Sequence, residues 1–229
     1  MRYFCIRTLI LAFTMFLGLS LLGLSQEQRA PFQIGGLDVK PGEMGETLLK
    51  VEVEEETDCF IPVTVLHGSS PGKVLALVAG VHGYEYPPIL ALYRLKHKID
   101  PETLSGTLIL VHIAHVPAFQ KRIIYFNPYD WKNLNRVFPG DPEGTQAERI
   151  AFVLVEEVVK KCDFLIDLHC GDGNEALIPY CYWMVSGDER LDGLSRDMVL
   201  AFGIKHIIID DTRSRDLTAS KYLGNTAIL

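Results

Sequence analysis

The stretch KVLALVAGV (73–81) is a continuous apolar run, and it constrains the fold more than any other segment. It is followed by PPILALYRLKHK (87–98), with prolines where a first helical turn accepts them, and then by the β-branched run GTLILVHIA (106–114). Strand, helix and strand within about forty residues is a βαβ unit, whose crossover is right-handed and whose two strands are parallel. Both strands lack the alternation of a half-exposed sheet, so helices are expected on both faces.

Further segments extend this pattern. ETLLKVEVEE (46–55) alternates apolar and acidic residues as a half-exposed strand does, and IPVTVLHG (61–68) supplies another strand. TQAERIAFVLVEEVVKK (145–161) opens with Thr145 and Glu148 in capping-box spacing and carries Ala147, Ile150, Ala151, Leu154 and Val158 on one face. It leads into DFLIDLHCG (163–171), a short strand ending in polar residues, and IKHIIID (204–210) reads as a later strand. Tyr180, Tyr182 and Trp183 alternate as strand residues packed in a core do. The expected fold class is α/β: three layers, α/β/α, around a mixed, mostly parallel central sheet.

The first 25 residues differ from the rest. Arg2 and Arg7 precede the uncharged run TLILAFTMFLGLSLLGLS (8–25), and Gly23 and Ser25 are small enough for a cleavage site. That order predicts a signal peptide over 1–25, or an N-terminal anchor, and a secreted or periplasmic protein with no other membrane association. Residues 26–45 read as a linker and 46–229 as one catalytic domain. Removing the leader takes away two arginines and no acids, leaving 20 basic against 29 acidic side chains. Such a surface excludes nucleic acid as a partner. Four cysteines remain, too few for a disulfide scaffold but compatible with one bridge. A strand over 163–169 holds Cys162 and Cys170 about 26 Å apart, so these two do not pair.

Chemistry concentrates where strands end. In open α/β sheets, sites form at the carboxyl ends of strands, and both AGVHGYEYPP (79–88) and IDLHCGD (166–172) place a histidine there. His82, Glu85 and His169 together offer two imidazoles and a carboxylate, the ligand set of a catalytic Zn²⁺ that keeps a fourth position open. Asp167 is placed to orient a ligand from behind, or to line the cleft. Gly80 and Gly83 let the backbone approach closely. A histidine and a glutamate three apart are weak alone; the joint occurrence of both strand ends with NLNRVFPG (133–140) between them is what makes the pattern specific. The remaining histidines read as packing or surface residues, including His112 and His115, whose spacing suggests a second metal site only weakly.

GVHGYE (80–85), NPYDWKNLNRVFPG (127–140) and IDLHCGD resemble, in this order, three signature blocks of the succinylglutamate desuccinylase/aspartoacylase family, relatives of the zinc carboxypeptidases. The resemblance spans roughly residues 40 to 229. It implies a carboxypeptidase-like fold, Zn²⁺ held by His82, Glu85 and His169, a substrate carboxylate gripped by Asn135 and Arg136, and the scissile carbonyl polarised by Arg122 as the catalytic cation. A planar guanidinium suits bidentate carboxylate binding whatever the name. The expected activity is zinc-dependent hydrolysis of an amide or ester bond in an N-acyl amino acid or similar small carboxylate-bearing substrate. The alternatives are a non-catalytic module binding metal and carboxylate, and a metallocarboxypeptidase acting on peptides.

Three departures from the family pattern stand out. The family's proton-shuttling glutamate lies in a later strand, and KYLGNTAIL (221–229) arrives without an evident equivalent. The domain is therefore expected to be incomplete, with Glu175 read as a loop residue rather than a substitute. His115 stands where asparagine is common, and Trp131 stands where glycine is usual.

Overall fold

The computed structural model describes residues 29–53 and 59–214. The expected leader, 1–25, lies outside the described residues. Among those described, no helix is long and apolar enough to cross a membrane.

The elements run β1 (Phe32–Ile34), β2 (Leu37–Val39), β3 (Glu43–Val51), β4 (Cys59–His67), β5 (Ser70–Ala79), α1 (Tyr86–Leu95), β6 (Ser105–Val111), α2 (Val116–Lys121), α3 (Gln146–Glu157), β7 (Phe164–Leu168), β8 (Tyr180–Val185), α4 (Glu189–Phe202) and β9 (His206–Asp211). The central sheet has the order β3-β4-β6-β5-β7. Its first two pairings are antiparallel, while β5 pairs in parallel with both β6 and β7. A separate parallel pair, β8 with β9, follows.

Alternation along β5 shows why the run is apolar throughout. Ala76 and Val78 point into a core shared with Ile150, Ala151, Leu154 and Val155 of α3. Leu77 and Ala79 point the other way, against Leu92 of α1 and Val199 of α4. The sheet is thus covered on both faces, and both faces of β5 leave water. The structure shows the expected α/β fold with a mixed central sheet and flanking helices. The capping box at α3 forms as its spacing requires: the Thr145 N–H donates to Glu148 Oε2 at 2.9 Å.

One expectation is corrected. Residues 26–45 are not a linker over most of their length: β1 and β2 form a hairpin, and β3 begins at Glu43. Gly35 and Gly36 take φ of 52° and 78°, the left-handed pair that a two-residue hairpin needs. Ile34 and Val39 are buried in the core beneath α3. Upstream, Arg29 Nη1 donates to the carbonyls of Gly68, Ser70 and Gly106 and ties the entry to the sheet. The glycine pair was visible, but the strands have only three residues each, too short for alternation to register. Helix α4 was likewise not foreseen, although its cap is legible: Asp188 Oδ1 accepts from the N–H groups of Arg190 and Leu191, and Gly203 closes the helix at φ 76°.

The hairpin's place in the core is testable. Ile34→Ala should destabilise the protein by about 2–4 kcal/mol in chemical denaturation, as a core residue does; a change under about 0.5 kcal/mol would return this segment to linker status.

Candidate active site

Parallel pairing of β5 with β7 sets Ala79 opposite Leu168, so the two chains leave the sheet side by side. From β5 the backbone turns at Gly80, with φ 70°, into the His82 loop. Gly83 has no room for a side chain: a Cβ there would lie 2.2 Å from the Ile123 carbonyl oxygen, and its N–H donates to the Ile124 carbonyl at 2.8 Å. The loop is thereby pressed against the segment after α2. Glu85 immediately precedes α1, whose first turn carries Pro87 and Pro88, and is only 3% exposed.

The predicted ligands His82, Glu85 and His169 come together, each offering an atom within 4.8 Å of the other two. They are the single such group of three among the described residues. His82 Nδ1 lies 2.9 Å from Glu85 Oε1. His169 Nδ1 lies 2.7 Å from Glu85 Oε2, within ion-pair range but without hydrogen-bond alignment. The far nitrogen of His169, Nε2, is 2.8 Å from Asp167 Oδ2, and Asp167 is itself buried. That contact fixes the orientation of the ring, with Nε2 on Asp167 and Nδ1 turned to Glu85. Burial alone lowers the His169 pKa, but the carboxylates of Asp167 and Glu85 outweigh it and push it up to about 10. Glu85 moves the opposite way: burial raises its pKa, and the two imidazoles together hold it below the usual carboxylate range.

His82 Nε2 and Glu85 Oε2 are buried without a hydrogen-bond partner. Two such atoms beside one carboxylate are costly to bury, and a divalent cation would satisfy both. The residues present therefore fit a Zn²⁺ ion.

Around this centre the structure adds residues that spacing did not single out. The Tyr125 ring meets His82 edge to face at 5.2 Å between centroids. The Asp172 carboxylate beside it pushes the phenol up to about 12. Glu175 is exposed, and its Oε2 accepts from the Asp172 N–H at 3.2 Å, which makes it a strut of its own loop. His115 is fully buried under the His82 loop: its N–H donates to the Gly80 carbonyl, its Nδ1 lies 3.3 Å from the Val81 carbonyl, and burial lowers its pKa to about 4. His112 points elsewhere, to Thr64 Oγ1 at 2.8 Å, so the structure does not join these two histidines into a second metal site.

Asn135 and Arg136 lie on a 3₁₀ turn, Leu134–Arg136, anchored by buried Leu134 and by Asn133, whose side chain accepts from the Asn135 N–H. The Arg136 side chain is exposed, with Nη1 donating to the Asn135 carbonyl. The residues ahead of them serve the scaffold. Buried Asn127 donates to Gln146 Oε1, and Asp130 Oδ2 accepts from the Ala147 N–H, docking the segment on the start of α3. Arg122 is exposed at the end of α2, and no hydrogen bond or ion pair joins its guanidinium to the ligand cluster among the described residues. Its backbone is left-handed at φ 55°.

Trp131 shares that conformation, also at φ 55°, with its side chain 68% exposed. A Cβ in this region costs about 1–2 kcal/mol, which explains why glycine suits the position. Trp131→Gly should therefore leave the thermal midpoint unchanged or raise it; a drop of more than a few degrees would show that the indole carries stability of its own.

Comparison with known proteins agrees with this architecture. Residues 71–228 match the succinylglutamate desuccinylase/aspartoacylase catalytic domain. The Nα-acetyl-L-2,4-diaminobutyric acid deacetylase of Halomonas elongata is 34% identical over 152 residues, which are 66% of this chain and 43% of that protein. The product-bound structure of the ectoine utilization protein EutE (DoeB) from Ruegeria pomeroyi superposes with a TM-score of 0.72 at 26% identity, covering 88% of this chain and 62% of that one. An aspartoacylase family protein from Mesorhizobium loti gives a TM-score of 0.73 at 25% identity, covering 87% and 64%. The chain spans less than half the length of the curated relative it matches. With the family domain matched over most of its length and the fold shared, this chain belongs to the succinylglutamate desuccinylase/aspartoacylase family.

Proposed function

We propose that the protein is a zinc-dependent deacylase that hydrolyses the amide bond of an N-acyl amino acid, with His82, Glu85 and His169 as metal ligands. The observation that carries this reading is the convergence of those three side chains, two of them with buried atoms lacking a hydrogen-bond partner. The Halomonas relative is named for removing an acetyl group from an acylated amino acid, which supports the substrate class. When bound, Zn²⁺ supplies a Lewis acid and lowers the pKa of a coordinated water toward about 7.

The chain's own residues do the remaining work. Asn135 and Arg136 present an amide and an exposed guanidinium from one short turn, and they anchor the substrate carboxylate. Arg122, exposed at the end of α2, would supply the cation for the charge that develops on the scissile carbonyl. Asp167 holds the His169 ring by Nε2 with Nδ1 turned to Glu85, so the ring is already oriented when the cation arrives. Glu175, exposed and bound to its own loop, is a support rather than a proton carrier.

Metal analysis of the purified protein tests the centre. Zinc should be present at one equivalent and lost in His82→Ala, Glu85→Ala and His169→Ala; full zinc content in any of these variants would remove that residue from the ligand set. Asp167→Asn should weaken zinc binding by about 10–100-fold while leaving the fold intact. Acid should weaken it as well. The metal-free His169 pKa is raised to about 10, so below that pH a proton must leave before the cation binds, and affinity should fall about 100-fold between pH 8 and pH 6. A panel of N-acetyl amino acids and short peptides, followed by amine release, separates deacylase from peptidase. Cleavage of the peptides alone would overturn the proposal.

A further inference from the structure

The two candidate histidine ligands are held in different ways. His169 has a carboxylate behind it: Nε2 lies 2.8 Å from Asp167 Oδ2, while Nδ1 is turned to Glu85. His82 has no such bond. Its Nδ1 lies 2.9 Å from Glu85 Oε1, and its Nε2 is buried without a hydrogen-bond partner. Glu85 is itself a candidate ligand, so it does not orient His82 from outside the centre. A metal-binding imidazole is ordinarily oriented by a partner that does not touch the metal, and a ring without one gives up affinity to the entropy of fixing it.

What meets the His82 ring is an aromatic side chain. The Tyr125 ring lies 5.2 Å from it between centroids, with the planes at 86°, which is the T-shaped geometry in which such rings attract. The chain delivers Tyr125 there through backbone contacts. Left-handed Arg122 closes α2, its N–H bonds to the Phe119 carbonyl, and the Ile123 N–H bonds to the Ala118 carbonyl at 2.9 Å. The Gly83 N–H then bonds to the Ile124 carbonyl at 2.8 Å, so residue 125 starts from a point fixed against the His82 loop. Phe126 packs on Tyr125 in turn, with centroids 6.4 Å apart, and its backbone is bridged to Asn133. Resting on the metal-centre reading above, we infer that Tyr125 is a positioning residue for the metal: its ring fixes the His82 imidazole, the task that Asp167 performs for His169. The ring does this, and the hydroxyl is not required.

Tyr125 is 39% exposed, so replacing it removes little from the core. Competition with a chromophoric chelator measures zinc affinity in the full chain. Tyr125→Leu should bind zinc about tenfold more weakly than wild type, and Tyr125→Phe should stay within about twofold of it. In a His82→Ala background, Tyr125→Leu should change the residual affinity by less than about twofold, since no ring is left to hold. A merely structural role would lower the thermal midpoint of the metal-free protein without this dependence on His82. In the metal-free protein the imidazole proton resonances of His82 should carry a ring-current shift in wild type and Tyr125→Phe and lose it in Tyr125→Leu, a readout that needs neither zinc nor turnover. Equal zinc affinity in wild type and Tyr125→Leu, with zinc lost in His82→Ala, overturns this inference and leaves the ligand reading intact. A loss of about tenfold in Tyr125→Phe also overturns it, because the hydroxyl would then be the acting group. A wild type that takes up no zinc overturns both. Should Tyr125→Leu not fold, the wild-type resonances decide: unshifted His82 protons overturn the inference and shifted ones support it.

Discussion

Parallel hydrogen bonding between β5 and β7 is the constraint on which the site depends. These strands are far apart in sequence, and only their register, Ala79 against Leu168, brings the His82 loop and the His169 loop out of the sheet together. An antiparallel arrangement would send the two loops to opposite edges. Since parallel strands need a crossover, α1, α3 and the loops between them follow from the same choice, and they cover the faces that these all-apolar strands expose.

Around that register the protein arranges charge in graded depth. Glu85 is held ionised by two imidazoles, and Asp167 fixes the orientation of His169 from behind. Asp172 lies further along the loop after β7, with Oδ1 buried and without a hydrogen-bond partner. Such a cluster is stable only while each buried charge has an opposing group nearby. For Glu85 and Asp167 those groups belong to the protein.

Much of this was legible in the chain. The continuous apolar runs at 73–81 and 106–114 marked strands buried on both sides, and Thr145 with Glu148 marked the start of α3. His82, Glu85 and His169 were legible because glycine-flanked polar residues at the end of a buried strand have few structural uses. The β1–β2 hairpin was not, because three-residue strands carry no measurable period. Tyr125 was missed for a different reason: it is ordinary in its own segment, and only its ring meeting His82 sets it beside the centre.

The amino-acid sequence by itself determined the layered α/β class, the strand-end position of the candidate ligands and the capping of the α3 helix, since periodicity, side-chain volume and local hydrogen bonding are set within a few residues. Tertiary structure alone decided which nitrogen of His169 faces Glu85, which buried oxygens are left bare, and that Arg122 and Trp131 adopt left-handed backbone. Those properties depend on the packing of segments tens of residues apart, where a shift of about an ångström makes or breaks a hydrogen bond, and no local pattern encodes that distance.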